Sequence, residues 1–118
     1  MGAEGQIEGG VVMGIGMALW EKIIRKDGFI QNPSLREYQL PGTKDVPDKI
    51  KTIFVESYDK SGPFGAKGVA EASLIPVPAA IAAGISNAIG ARINQLPMDG
   101  ETVMNAIDQS KGGKKENE

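Results

Sequence analysis

The N-terminal part of the chain has apolar residues at helical spacing. They follow one another at four-residue steps: Ile7, Val11, Ile15, Leu19 and Ile23. Such steps place side chains on one face of an α-helix. Gly10 and Gly14 share a face of the same stretch, so another backbone can approach closely there. The pattern predicts a buried helix, which Asp27-Gly28 ends by turning the chain towards Phe29.

The middle of the chain has the spacing of strands between turns. Residues 35–40 alternate weakly between Asn32-Pro33 and Pro41-Gly42, which predicts a short strand. Residues 50–57, Ile-Lys-Thr-Ile-Phe-Val-Glu-Ser, are rich in β-branched and aromatic side chains and predict the strongest strand. A last short strand is predicted at residues 93–96.

The C-terminal part returns to helical signals. Pro76 and Pro78 suit a helix N-terminus, because the first turn leaves its N–H groups unused. They predict a helix over residues 77–91, with an apolar stripe of isoleucines. Asp99 can cap a terminal helix through Ile107. The whole pattern predicts an α+β fold, a small mixed β-sheet with two main packed helices and a short C-terminal helix. Residues 1–108 form this unit, and residues 109–118 are predicted to be a disordered tail.

Composition narrows the possible chemistry. The 118 residues are 41% hydrophobic and 24% charged, which is typical of an ordinary globular domain. The absence of cysteine and histidine removes the commonest nucleophile, base and metal ligands, so we predict no protein-ligated metal and assign acid/base chemistry to carboxylates. A net charge of -2 with scattered basic residues argues against nucleic-acid binding. The apolar run at residues 9–20 is too short for a membrane span, so we expect no membrane partner and a cytoplasmic protein.

Residues 61–71 form a glycine-punctuated loop that ends in a carboxylate. Gly62, Gly65 and Gly68 recur at three-residue spacing, with Lys67 beside the last of them. Such a loop is either a plain turn or a cradle whose N–H groups hold an anion, and it is not a Walker A motif. Glu71 is either a helix-start acid or a functional carboxylate. Gln6, near the start of the first helix, either satisfies open N–H groups at the helix end or contacts a ligand.

Two motifs carry a resemblance to a known family. Residues 5–10, Gly-Gln-Ile-Glu-Gly-Gly, precede a glycine-rich helix, and residues 65–71, Gly-Ala-Lys-Gly-Val-Ala-Glu, precede an Ala- and Pro-containing one. Together with the segment between Asn32-Pro33 and Pro41, they make residues 4–107 resemble the C-terminal segment of the molybdenum-binding subunit of the xanthine dehydrogenase and aldehyde oxidase family.

The resemblance implies roles for particular residues. Glu71 matches the family's active-site glutamate, the general base in the hydroxylation of a purine or aldehyde by water, with xanthine or a related purine as the preferred substrate. Gln6, Lys67, Gly68 and Val69 match contacts to a molybdopterin-type molybdenum cofactor. The family has glycine where this chain has Ala70, which would cost about 1 kcal/mol if the position required a positive φ.

The resemblance also implies partners. The remainder of the molybdenum-binding subunit and iron-sulfur and FAD subunits or domains would complete the oxidoreductase. We therefore expect the isolated chain to be inactive and to bind no cofactor. The alternative is a non-enzymatic module that binds an anion through its glycine loop or docks a partner through its helices.

Overall fold

The computed structural model describes residues 2–112, and the α+β class is confirmed. Short 3₁₀ turns at Pro63–Gly65 and Glu71–Ser73 precede the second helix. The regular elements are α1 (Gly2–Leu19), β1 (Arg25–Lys26), β2 (Phe29–Ile30), α2 (Pro76–Ile89) and α3 (Gly100–Gly112). The sheet is smaller than predicted, because within residues 2–112 it consists of β1 and β2 alone, paired antiparallel.

The helix α1 ends at Leu19, earlier than the apolar stripe predicts. The Gly16 carbonyl accepts the N–H groups of Trp20 at 2.9 Å and of Glu21 at 3.0 Å, and the second bond spans five residues, which widens the last turn. The Ala18 carbonyl then accepts a hydrogen bond of 2.7 Å from the Met98 N–H group. A distant segment therefore satisfies the end of α1, and Ile23 lies beyond the helix.

The predicted turn at Asp27-Gly28 is confirmed as the tip of a β-hairpin. Asp27 has φ 50° and Gly28 has φ 82°, as a two-residue turn between right-twisted strands requires. The buried Asn32 side chain closes the hairpin's base. Its amide nitrogen donates to the Lys22 carbonyl at 2.7 Å, and its oxygen accepts from the Ile24 N–H group at 2.9 Å.

The helix α2 packs against α1 through glycine, as the shared face of Gly10 and Gly14 predicts. A Cβ atom on Gly14 would lie 2.6 Å from the Val77 Cβ atom, so only glycine allows this approach. Pro76 starts α2 as predicted, and Gly90 ends it at φ 67°. The small core lies where α1, α2 and α3 converge. Its buried apolar members are Ala18, Ile93 and Met98, with Leu19, Ile81, Ala82, Ile85, Ile89, Val103 and Ala106 packed around them.

Asp99 caps α3 as predicted. Its Oδ1 atom accepts a hydrogen bond of 2.8 Å from the Thr102 N–H group. Thr102, through its backbone N–H and then its hydroxyl, lowers the pKa of Asp99 below its ordinary value, and the Lys22 ammonium, 3.6 Å from Oδ2, acts in the same direction. The helix continues to Gly112, so residues 109–112 of the predicted disordered tail are helical, and residues 113–118 lie outside the described residues.

Three predicted strands are absent from the described structure. Residues 35–40, 50–57 and 93–96 have no strand conformation. At the first, the N–H groups of Glu37 and Tyr38 donate to the Ser34 carbonyl and form a turn instead. At the second, residues 2–112 provide no neighbouring strand with which to pair. The radius of gyration is 18.6 Å, well above the roughly 13 Å expected for a compact chain of this length.

One stretch, Glu71–Ile89, is long and apolar enough to cross a membrane, with 19 residues and a mean hydropathy of 1.6. The run at residues 9–20 is therefore not the longest apolar candidate. Most of this stretch is α2, which packs on α1 at Gly14 but has no fully buried residue within the described structure. The absence of a membrane partner stays a prediction.

Candidate functional site

The glycine loop needs two of its three glycines for its shape. Gly65 has φ 78°, and a Cβ atom there would overlap the Tyr58 ring. A Cβ atom on Gly62 would overlap the Ala66 carbonyl oxygen. Gly68 has open space around its Cα atom. The first two positions therefore fold the loop tightly, whereas the third leaves its backbone accessible.

Asp59 and Ser61 fix the start of the loop. Asp59 Oδ1 accepts hydrogen bonds from the Ser61 N–H group at 2.9 Å and from the Ser61 hydroxyl at 2.7 Å. These two bonds lower the pKa of the Asp59 carboxyl group below its ordinary value. The Asp59 N–H group donates to the Gly65 carbonyl at 3.3 Å, which closes the loop at its base.

The predicted cofactor cradle, Lys67 to Val69, is exposed and has unused donors. Within residues 2–112, no backbone hydrogen bond uses the N–H groups of Lys67, Gly68 or Val69. The Lys67 ammonium donates to the Ser57 hydroxyl. Free N–H groups beside an ammonium are suited to an anionic group, and the contact of these residues with a cofactor stays a prediction.

Gln6 and Glu71 line one small cavity, although 64 positions separate them in the chain. The cavity has a volume of about 110 Å³ and lies between α1 and the 3₁₀ turn Glu71–Ser73. Its lining residues are Gln6, Gly10, Met13, Ala70, Glu71 and Leu74. Lys67, Gly68 and Val69 are not among them, so the structure brings together two of the five predicted site residues and leaves the cradle to one side.

Ser73 joins the two sides of this cavity and was missed by sequence reasoning. Its hydroxyl lies 2.9 Å from the Ala70 carbonyl and 3.5 Å from the Gln6 carbonyl, and both are acceptors for its single proton. A Cβ atom on Gly10 would overlap the Ser73 Oγ atom. Only glycine at position 10 therefore leaves room for the Ser73 side chain, and the turn that begins at Glu71 packs closely against α1 there. The spacing of Ser73 three residues after Ala70 is the one local signal.

Glu71 itself is exposed. It begins the 3₁₀ turn, and its carbonyl accepts the N–H group of Leu74 at 3.0 Å, so its backbone is fixed while its carboxylate is open. Ala70 has φ -164°, which lies outside the positive-φ region, so the expected cost of a positive φ does not arise. Any desolvation of the Glu71 carboxylate must come from atoms outside residues 2–112.

Other parts of the described structure offer fewer groups that could bind a metal ion or act as a base. Among residues 2–112, no group of three carboxylates is placed to hold a metal ion. A larger open depression of about 350 Å³ lies beside α3, away from every predicted site residue. It is lined by Arg92, Ile93, Asn94, Gln95, Thr102, Asn105, Ala106 and Gln109. It lacks a carboxylate that could act as a base.

Comparison with known proteins identifies relatives for most of the chain. Residues 1–47 match the family model of a molybdopterin cofactor-binding domain. The chain is 42% identical over 98 residues to a xanthine dehydrogenase molybdenum-binding subunit of Escherichia coli O157:H7, which covers 81% of this chain and 13% of that subunit. It is 37% identical over 107 residues to an aldehyde oxidoreductase of Megalodesulfovibrio gigas, which covers 91% of this chain and 12% of that protein.

A solved structure agrees with these matches. Quinoline 2-oxidoreductase from Pseudomonas putida 86 superposes with a TM-score of 0.81 at 34% identity, over 90% of this chain and 14% of that one. The chain therefore spans between 12% and 14% of the length of these three relatives.

Proposed function

Because this chain belongs, as a segment, to the molybdenum-binding subunits of the xanthine dehydrogenase and aldehyde oxidase family, we propose that it supplies one wall of a hydroxylation site in a larger enzyme. The observation that carries the proposal is the cavity shared by Gln6 and Glu71, with the Ser73 side chain packed against Gly10 beside it. This wall consists of the Gln6 amide, the Glu71 carboxylate and the exposed backbone N–H groups of residues 67–69 in the neighbouring loop.

Glu71 is the proposed general base. Hydroxylation of a carbon by water releases two protons and two electrons, and a Glu71 carboxylate oxygen takes up one of those protons. The 3₁₀ turn that begins at Glu71 fixes its backbone, and Ser73 packs that turn against α1 at Gly10. A carboxylate base works best when it is partly shielded from water, and for this exposed group the rest of the subunit must provide that desolvation.

The residues present fit a molybdopterin-type cofactor. Gln6 offers both a donor and an acceptor, and the free N–H groups of Lys67, Gly68 and Val69 suit an anionic group. A cavity of about 110 Å³ accepts only the end of such a molecule, so most of the cofactor would lie against other parts of the subunit. When bound, the cofactor supplies the two-electron oxidant.

The proposal extends to substrate, partners and location. Xanthine or a related purine is the proposed substrate, after the activity named for the E. coli relative, which is 42% identical to this chain. The remainder of the subunit and iron-sulfur and FAD components would complete the enzyme in the cytoplasm. The isolated chain would have no activity, because it holds one wall of the site.

The test is Glu71→Gln in the assembled enzyme. We expect kcat to fall at least 100-fold, within the roughly 10²–10⁴-fold range of general-base catalysis, with the molybdenum content unchanged by elemental analysis. Glu101→Gln is the matched control, because Glu101 is another exposed first-turn acid, and it should leave kcat unchanged. A Glu71→Gln enzyme with near-normal kcat would favour the alternative, a binding module without catalysis.

A further inference from the structure

We propose that Ser73 is a positioning residue for the Glu71 carboxylate, and that the surface of α1 at Gly10 is a notch that receives the Ser73 side chain. The inference rests on the proposed function, since it takes Glu71 as the base. It adds the contact that sets the distance between the Gln6 and Glu71 sides of the cavity. Ser73 does not itself line that cavity, so it acts through the position of Glu71.

Both peptide groups that flank the Glu71 Cα atom are hydrogen-bonded. The Ala70 carbonyl accepts the Ser73 hydroxyl at 2.9 Å and the Ser73 N–H group at 3.4 Å. The Glu71 carbonyl accepts the N–H groups of Leu74 at 3.0 Å and of Ile75 at 3.3 Å. The backbone of Glu71 therefore moves together with Ser73 and the start of α2.

The backbone is what places the Glu71 carboxylate. Among residues 2–112, no hydrogen bond or ion pair holds this carboxylate. A base must come within about 2.6–3.2 Å of the atom whose proton it takes. A misplacement of about 1 Å can lower the rate about 100-fold. A shift of the turn at Ser73 would thus be transmitted to the reacting atoms.

The Ser73 side chain occupies the space that a side chain at position 10 would need. A Cβ atom on Gly10 would overlap the Ser73 Oγ atom and lie 3.1 Å from the Ser73 Cβ atom. Relief requires either that the turn move away from α1 or that the Ser73 hydroxyl rotate away from the Ala70 carbonyl. Either change alters the position of the Glu71 backbone.

The notch lies one helical turn from Gln6, on the same face of α1. The Ser73 Oγ atom is 3.5 Å from the Gln6 carbonyl oxygen. One turn further along α1, Gly14 makes room for Val77, whose Cβ atom would lie 2.6 Å from a Cβ atom on that glycine. Two glycines four positions apart thus receive two residues four positions apart, which fixes the register of the two segments.

The test begins with Gly10→Ala in the assembled enzyme, assayed with xanthine. We expect kcat to fall about 10-fold or more, because the added methyl group displaces the turn, while KM and the molybdenum content stay unchanged. Gly84→Ala is the matched control. It makes the same change in α2, where a Cβ atom meets no described atom within 4 Å, and it should leave kcat unchanged. Parent-like kcat in a folded Gly10→Ala enzyme overturns the proposal.

A compensating pair separates displacement of the turn from filling of the cavity. With Ser73→Gly added, the nearest described atom to the new methyl group is the Leu74 backbone nitrogen, at 3.4 Å, an ordinary contact. The Gly10→Ala/Ser73→Gly enzyme should therefore be about threefold or more faster than Gly10→Ala alone. A pair that is no faster than Gly10→Ala overturns the proposal, because the methyl group then acts by filling the cavity.

The Glu71→Gln background distinguishes positioning from general damage to the fold. Gly10→Ala added to Glu71→Gln should lower the residual kcat by less than about twofold, since the base that it displaces is already absent. A loss that multiplies with that of Glu71→Gln overturns the proposal.

Ser73→Ala keeps the proposal testable if Gly10→Ala does not fold. It removes the hydroxyl that bonds the Ala70 carbonyl and adds no atom to the contact. We expect kcat to fall about threefold or more in the parent and to stay unchanged in the Glu71→Gln background. Parent-like kcat for Ser73→Ala overturns the proposal.

The outcomes separate this proposal from the proposed function. Near-normal kcat for Glu71→Gln contradicts the proposed function, whatever the variants at position 10 do. A large loss for Glu71→Gln together with parent-like kcat for Gly10→Ala and Ser73→Ala contradicts the positioning role alone.

Discussion

Two regions of the chain are both rich in apolar residues, yet only one buries them. The helical junction, centred on Ala18, Ile93 and Met98, excludes water where three helices converge. The open stretch, residues 46–58, exposes Ile53, Val55 and Tyr58 and has no backbone hydrogen bond among the described residues. A helix satisfies its own backbone, so the junction can form within this chain. A strand forms its backbone hydrogen bonds only with a neighbouring strand, and the described residues provide none for the open stretch.

The strongest contrast between the regions is the cost of removing a side chain. Met98→Ala should destabilise the chain by about 2–5 kcal/mol, because it empties a site that is only 3% exposed. Val55→Ala in the open stretch should change the free energy of unfolding by less than about 0.5 kcal/mol. Urea denaturation followed by circular dichroism measures both. Equal costs at the two positions would break the distinction between a packed region and an open one.

The next largest effect concerns the close approach of α1 and α2. Gly14→Ala places a Cβ atom 2.6 Å from that of Val77, and the overpacking should cost about 1–3 kcal/mol, offset by about 1 kcal/mol of helix propensity. Gly84→Ala within α2 is the control, since a Cβ atom there meets nothing within 4 Å, and it should stabilise by up to about 1 kcal/mol. A stabilising Gly14→Ala would mean that the helices are not in contact there.

The smallest expected change in stability concerns Asp99, which caps α3 at the edge of the helical junction. Asp99→Ala should cost about 1 kcal/mol through loss of the bond to the Thr102 N–H group, whereas Asp99→Asn should retain most of that stability. Thermal unfolding of the three proteins at neutral pH is sufficient to compare them. An alanine variant as stable as the parent would show that the cap contributes nothing.

The same carboxylate predicts a pH dependence. The folded state lowers the pKa of Asp99, so its stabilisation is present above the unfolded value of about 3.9 and is lost as the pH falls through the lower folded value. Parent and Asp99→Asn stabilities should therefore converge below about pH 4. A difference between them that is the same at every pH would contradict this assignment.

Local signals in the sequence predicted the helical region well. Pro76 and Pro78 marked the start of α2, Asp99 marked the cap of α3, and Asp27-Gly28 marked the hairpin turn. Each depends on a few adjacent residues, so the sequence contains the whole cause. The end of α1 was not predictable in this way, because the Met98 N–H group, which bonds the Ala18 carbonyl, comes from a distant segment.

The strands and the functional site could not be predicted from local sequence patterns alone. Residues 50–57 have strand composition, but composition does not supply a neighbour. The proximity of Gln6 to Glu71 followed from the family resemblance and not from any spacing between them. Ser73 was missed because a serine between alanine and leucine does not indicate a bond to a helix that is remote in sequence.

The hydrogen bond between Ala18 and Met98 has a consequence for the order in which the chain folds. The partners of the C-terminal end of α1 come from α2, Met98 and α3, which follow it at a distance in the chain. Closing so long a loop costs conformational entropy, whereas the turns within each helix and the hairpin close over a few residues. The end of α1 is therefore expected to become ordered after the local elements have formed.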